Sequence, residues 1–167
     1  MRVARYGAGR TNQKFYFCKI ALEQCENAED DAHKQAHFEA AVFHLHGAFL
    51  ALLQELSRFY KLSPQLATTE AIRLALEAKG QVSPEISQLQ AVEMSDAWLG
   101  QLQKTFTEYQ LAADPVEPQP EAELPDSLIV RMVTMSEEPV WDIARVQAWY
   151  KQLQRLITEF RQEMVEF

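Results

Sequence analysis

The stretch DAHKQAHFEAAVFHLHGAFLALLQELSRFYKL, residues 31–62, decides the fold. On a helical wheel Phe38, Val42, Leu45, Phe49, Leu52 and Leu53 share one face, which Leu56, Phe59 and Tyr60 extend. No other stretch of the chain offers so apolar a face. The segment therefore reads as the long core helix, and it also carries all four histidines, His33, His37, His44 and His46. Gly47 interrupts it at a cost of about 1 kcal/mol relative to alanine, which points to close approach by another helix.

Before this helix, Asn12 to Ala28 repeats Phe15, Cys18, Leu22 and Cys25 at helical spacing, with Tyr16, Phe17 and Ile20 widening the stripe. Residues 1–10 read as a basic arm. Gly7-Ala8-Gly9-Arg10 ends it and Thr11 stands where an N-cap belongs. Cys18 and Cys25 lie roughly 10 Å apart along a helix, beyond disulfide reach, and read as reduced core residues. Glu29, Asp30 and Asp31 place negative charge where the core helix begins, complementing its dipole.

After it, Ser63-Pro64 turns the chain. Thr68 or Thr69 caps a short helix with Ala71, Ile72, Leu74 and Leu76, closed at Gly80. Ser83-Pro84-Glu85 opens another, with Ile86, Leu89 and Val92 inward. Ser95-Asp96 then opens a longer one, striped by Leu99, Leu102, Phe106, Tyr109 and Ala113 with Trp98 beside them.

Residues 114–127 change character: Pro115, Pro118, Pro120 and Pro125 alternate with Glu117, Glu121 and Glu123, an acidic, extended linker. Residues 128–133, Leu-Ile-Val-Arg-Met-Val, have strand-like composition. They pair with Val3 to Tyr6, lie extended against the bundle, or pair across a dimer; the second is preferred. The final helix, within 140–167, has an unbroken seam of Ile143, Val146, Tyr150, Leu153, Ile157, Phe160, Met164 and Phe167. Trp149 and Leu156 widen it, favouring bundle packing over a dimeric coiled coil. The expected fold is all-α, one domain over 1–167: an antiparallel four-helix bundle core, two short bridging helices and one extended segment.

The charge balance limits the partners. Net charge is −8, yet the first 20 residues hold Arg2, Arg5, Arg10, Lys14 and Lys19 and no acid, so the remainder carries −13. A body so acidic repels phosphate, which excludes nucleic acid except through the basic arm. No run of the ~20 apolar residues of a membrane span is expected and no signal-like h-region, so the protein reads as cytoplasmic with no membrane contact.

Sites of chemistry are sparse. His33 and His37, four apart on one helix face, are the only candidate metal ligands, and no second histidine cluster completes a site. Flank positions on a helix account for them, so no metal or cofactor is expected. Gly7-Ala8-Gly9-Arg10-Thr11 lacks the Lys-Ser/Thr ending and the βαβ setting of a phosphate loop. Pairing either cysteine with His44 would bury the thiol, and no catalytic residue is assigned. The one ligand-binding set is Arg10, Asn12, Lys14, Tyr16 and His44, a polar pocket at the start of helix one.

Two stretches, Arg10-Thr11-Asn12-Gln13-Lys14-Phe15-Tyr16-Phe17 and Ala41-Val42-Phe43-His44-Leu45-His46-Gly47-Ala48, resemble a small uncharacterised all-helical family of gammaproteobacteria. The likeness covers about the first third of the chain and implies a bacterial helical protein without implying an activity. A looser topological resemblance is to helical nucleotide-binding bundles that include toxin ribonucleases. Their Arg-x(4 to 6)-His motif is missing, since no arginine lies four to six residues before any histidine. The function expected is that of a non-enzymatic helical interaction protein binding a protein partner or forming a homodimer. The alternative is a small-ligand or metal-binding enzyme built on the polar pocket.

Overall fold

A computed structural model describes residues 2–63, 65–110 and 141–165, with side chains from residue 8 onward. Six helices follow one another: α1 (Arg2–Asn27), α2 (Asp31–Phe59), α3 (Thr69–Glu77), α4 (Pro84–Val92), α5 (Trp98–Gln110) and α6 (Ile143–Val165). No strand occurs among the described residues. The linker expected at 114–127 and the extended segment at 128–133 lie outside them.

Capping chemistry sets the boundaries largely as the sequence implied. Asp30 caps α2 by accepting from the His33 amide at 2.9 Å. Thr68 caps α3, and Ser83 caps α4 with Pro84 in the first turn. Gly80, at φ +67°, reverses the chain after α3. Leu74 departs from expectation: it is half exposed, because Ile72 and Leu76 share the inward face of α3 and Leu74 lies opposite.

The N-terminal reading requires a larger correction. Helix α1 begins at Arg2 rather than after Thr11, so the residues read as an arm are part of the helix. Thr11 is no cap. It is fully buried on the inward face together with Phe15, Cys18, Leu22 and Cys25.

Helix α2 is the hub. Leu45, Leu52, Leu53 and Leu56 are wholly buried, each contributing about 2 kcal/mol of transfer free energy before entropic cost. Helix α1 folds back along α2 as an antiparallel hairpin, Phe17 meeting His44 and Cys25 meeting Lys34. Helix α5 also runs antiparallel to α2, since Phe106 reaches His46 and Tyr109 reaches Phe38. Helix α6 touches α1 near Glu26 through Gln147 and near Asn12 through Arg161, so it runs antiparallel to α1 and alongside α2.

A four-helix bundle describes this only in part. The extensive α1 contact is with α2, while its bridge to α6 is made by side chains. Helices α3 and α4 pack together between α2 and α5. The first turn of α5 packs so closely on the turn that joins it to α4 that a Cβ at Gly100 would stand 2.1 Å from the Met94 carbonyl oxygen.

One helix bears on the expectation about membrane spans without overturning it. Helix α2 has 29 residues and an 18-residue window of mean hydropathy 1.3, long and apolar enough to cross a bilayer by those measures. Half of that window is buried inside the protein, and a core helix passes the same test.

Candidate functional site

Three helices are tied by one polar cluster. The buried Thr11 hydroxyl of α1 donates to Glu55 Oε1 of α2. Arg161 of α6 grips the same carboxylate in bidentate fashion, Nη2 to Oε1 at 2.8 Å and Nε to Oε2 at 3.1 Å. Its Nη1 also donates to Asn12 Oδ1 at 3.2 Å. Glu55, with a side chain only 9% exposed, thus meets its charge and hydrogen-bond needs far from its own sequence neighbours. A second cluster pins the end of α2 to the start of α4. Tyr60 donates to Glu85 at 2.6 Å, and burial with that bond pushes the phenol up to about 12.

On one side of α1 lies a cleft of about 230 Å³ between α1, α2 and α5. Its cationic rim is Arg10 and Lys14, its aromatic walls are Phe43, Phe106 and His46, and Leu50 forms part of its floor. The His46 ring stacks flat on Phe106, centroids 3.9 Å apart at 7°. Lys14 Nζ rests 5.2 Å above the centre of the Phe43 ring, and Phe43 is 45% exposed. Gly47 makes this possible: its missing Cβ leaves room for Lys14 Cδ, which would otherwise lie 3.2 Å away. The close approach expected at Gly47 is therefore by one side chain rather than by a helix backbone. Burial and then the Arg10 charge hold the Lys14 ammonium below its ordinary value. Neither Arg10 nor Lys14 forms an ion pair among the described residues; Arg10 donates only to Gln13, at 2.9 Å.

On the opposite side of α1 a second cleft, of about 260 Å³, opens toward α6. Asn12, Tyr16, Lys19, Tyr150 and Arg161 line it. The five residues expected to share one pocket are thus divided. Arg10 and Lys14 belong to the first cleft, while Asn12 and Tyr16 belong to the second. His44 lies beside Phe17 and Phe43, close enough to Lys14 to feel its charge, and its Nδ1 is buried without a partner among the described residues.

The weak metal candidates do not converge. His33 is exposed and bound to its own cap Asp30, and no group of three metal-ligating side chains occurs among the described residues. Both cysteines are buried and free, and burial pushes the Cys18 thiol up to about 12, which makes it a poor nucleophile. Sequence reasoning missed Glu55, Arg161, His46 and Phe106. The first two are joined across 106 residues, a separation no local periodicity reports.

The half-buried histidines make stability depend on pH. Burial lowers His46, and burial with Lys14 lowers His44, so the unfolded chain takes up protons first as pH falls. Stability is then lost below the ordinary imidazole value of about 6.5. Asp30 and Glu70 are held below their ordinary carboxylate values and lose their contribution only at lower pH. The melting temperature is expected to fall between pH 7 and pH 5, and His46→Phe, which keeps a ring on Phe106, to flatten that slope. Thermal melts across the range check it; an unchanged slope in the variant would assign the effect elsewhere.

Residues 6–167 match a family described as a family of unknown function, DUF6586. No curated protein and no solved structure matches the chain.

Proposed function

We propose, for a chain that belongs to the DUF6586 family of unknown function, that the protein works without catalysis, by docking an acidic segment of a protein partner in the cleft between α1, α2 and α5. The observation that carries this reading is Arg10 and Lys14 at the cleft rim, neither in an ion pair among the described residues, with Lys14 over the exposed Phe43 ring, on a protein whose net charge is −8. Two cations with no carboxylate between them among the described residues favour an anionic visitor, and apolar walls beside them favour one with carbon to bury.

Size points the same way. A cleft of about 230 Å³ falls under the ~300 Å³ at which small-molecule pockets begin, and suits part of a larger partner. The alternative, an enzyme pocket built from Arg10, Asn12, Lys14, Tyr16 and His44, has against it that these residues open on opposite sides of α1.

The test is fluorescence anisotropy with a labelled oligoglutamate peptide. Saturable binding is expected, weakening with added salt and by about tenfold or more in Arg10→Glu with Lys14→Glu. No binding by the unaltered protein, or equal binding by the charge-reversed one, would sink the proposal.

A further inference from the structure

Resting on that reading, we infer that the docked segment carries one aromatic anchor flanked by carboxylates, the ring lying over the exposed Phe43 ring beside the Phe106–His46 stack and the carboxylates pairing with Arg10 and Lys14. Three observations converge on this. The cleft has room for a single large side chain, at about 230 Å³. Its walls are ring faces and edges: Phe43 and Phe106 already touch, centroids 6.2 Å apart at 34°, and His46 covers one face of Phe106, so the surface left for an anchor is the exposed Phe43 ring. Aromatic rings gain most from such surroundings, in offset or edge-on contacts that an aliphatic side chain does not make.

The third observation concerns Lys14. Its ammonium lies on the exposed Phe43 ring, with its stem held along Gly47. A carboxylate is the stronger partner for that ammonium. Moving the head a few ångströms to the cleft rim uncovers the ring for the anchor. One displacement therefore couples both halves of recognition, the acidic flank freeing the aromatic seat.

The experiment compares three labelled peptides by anisotropy: a tryptophan flanked on each side by two glutamates, the same peptide with alanine for tryptophan, and the same peptide with glutamine for glutamate. The tryptophan–glutamate peptide is expected to bind about tenfold or more tighter than either. Leu50→Trp, which fills the cleft, should abolish the advantage of tryptophan over alanine, with an unchanged helical circular-dichroism spectrum showing that the variant is folded; a retained advantage in the folded variant overturns the anchor. Equal affinity for the tryptophan and alanine peptides overturns the anchor and leaves acidic docking standing. Failure of every acidic peptide overturns both. A duplex oligonucleotide that displaces the peptide at lower concentration also overturns the inference.

Discussion

Gly100→Ala is expected to lower the melting temperature by roughly 6–12 °C, the equivalent of about 3 kcal/mol in a chain of this size. The added Cβ would stand 2.1 Å from the Met94 carbonyl oxygen and 2.7 Å from that of Glu93. These are backbone atoms of the turn between α4 and α5, so relief requires that turn to move off the start of α5. Intrinsic propensity alone predicts the opposite sign, because alanine is the better helix former by about 1 kcal/mol. Gly9 supplies the control. It too is helical, but nothing lies within 4 Å of its Cβ position, so Gly9→Ala should raise stability by about 0.5–1 kcal/mol. Denaturant melts of the two variants decide the matter, and a Gly100→Ala protein as stable as the parent would refute the crowding of Gly100 against the α4–α5 turn.

Arg161→Ala should cost about 2 kcal/mol. Removing the guanidinium leaves Glu55, only 9% exposed, with a buried charge and one remaining hydroxyl donor. A fully buried pair would cost 3–5 kcal/mol to break, and the 30% exposure of Arg161 lets water recover part of that. Glu55→Gln in the same chain should restore much of the loss, because the carboxylate that lacked a partner is gone. A double-mutant cycle measures this coupling, and strictly additive effects would show that the pair contributes nothing together.

The interior of α2 was readable because its apolar residues recur at helical spacing over about six turns, and the α6 seam was readable for the same reason. The caps were readable because Thr68 and Ser83 act on amides three residues away. Thr11 shows where such reading stops. A threonine after glycines looks the same whether it caps a helix or lies buried within one, and its true partner, Glu55, is 44 residues distant. The division of the candidate pocket was more accessible. Asn12 and Tyr16 share a helix face, and Lys14 is two residues from each, about 200° round the axis, so one cleft could not hold all three. His46 was given no role from sequence because its role depends on the ring of Phe106, set in place by the packing of α5 on α2.

The position of the hub within the chain has a consequence for synthesis on the ribosome. Helix α2 is complete at Phe59, and α1 is already present to pair with it. Helix α6 ends at Val165, so at typical elongation rates its last turn is made on the order of 5–20 s after α2. Through that interval the hairpin has no complete α6, and through roughly its first half no complete α5, to cover the rest of its most apolar helix. The surface of α2 that forms the centre of the finished protein is thus the surface a nascent chain exposes longest, and the one a cotranslational chaperone would meet first.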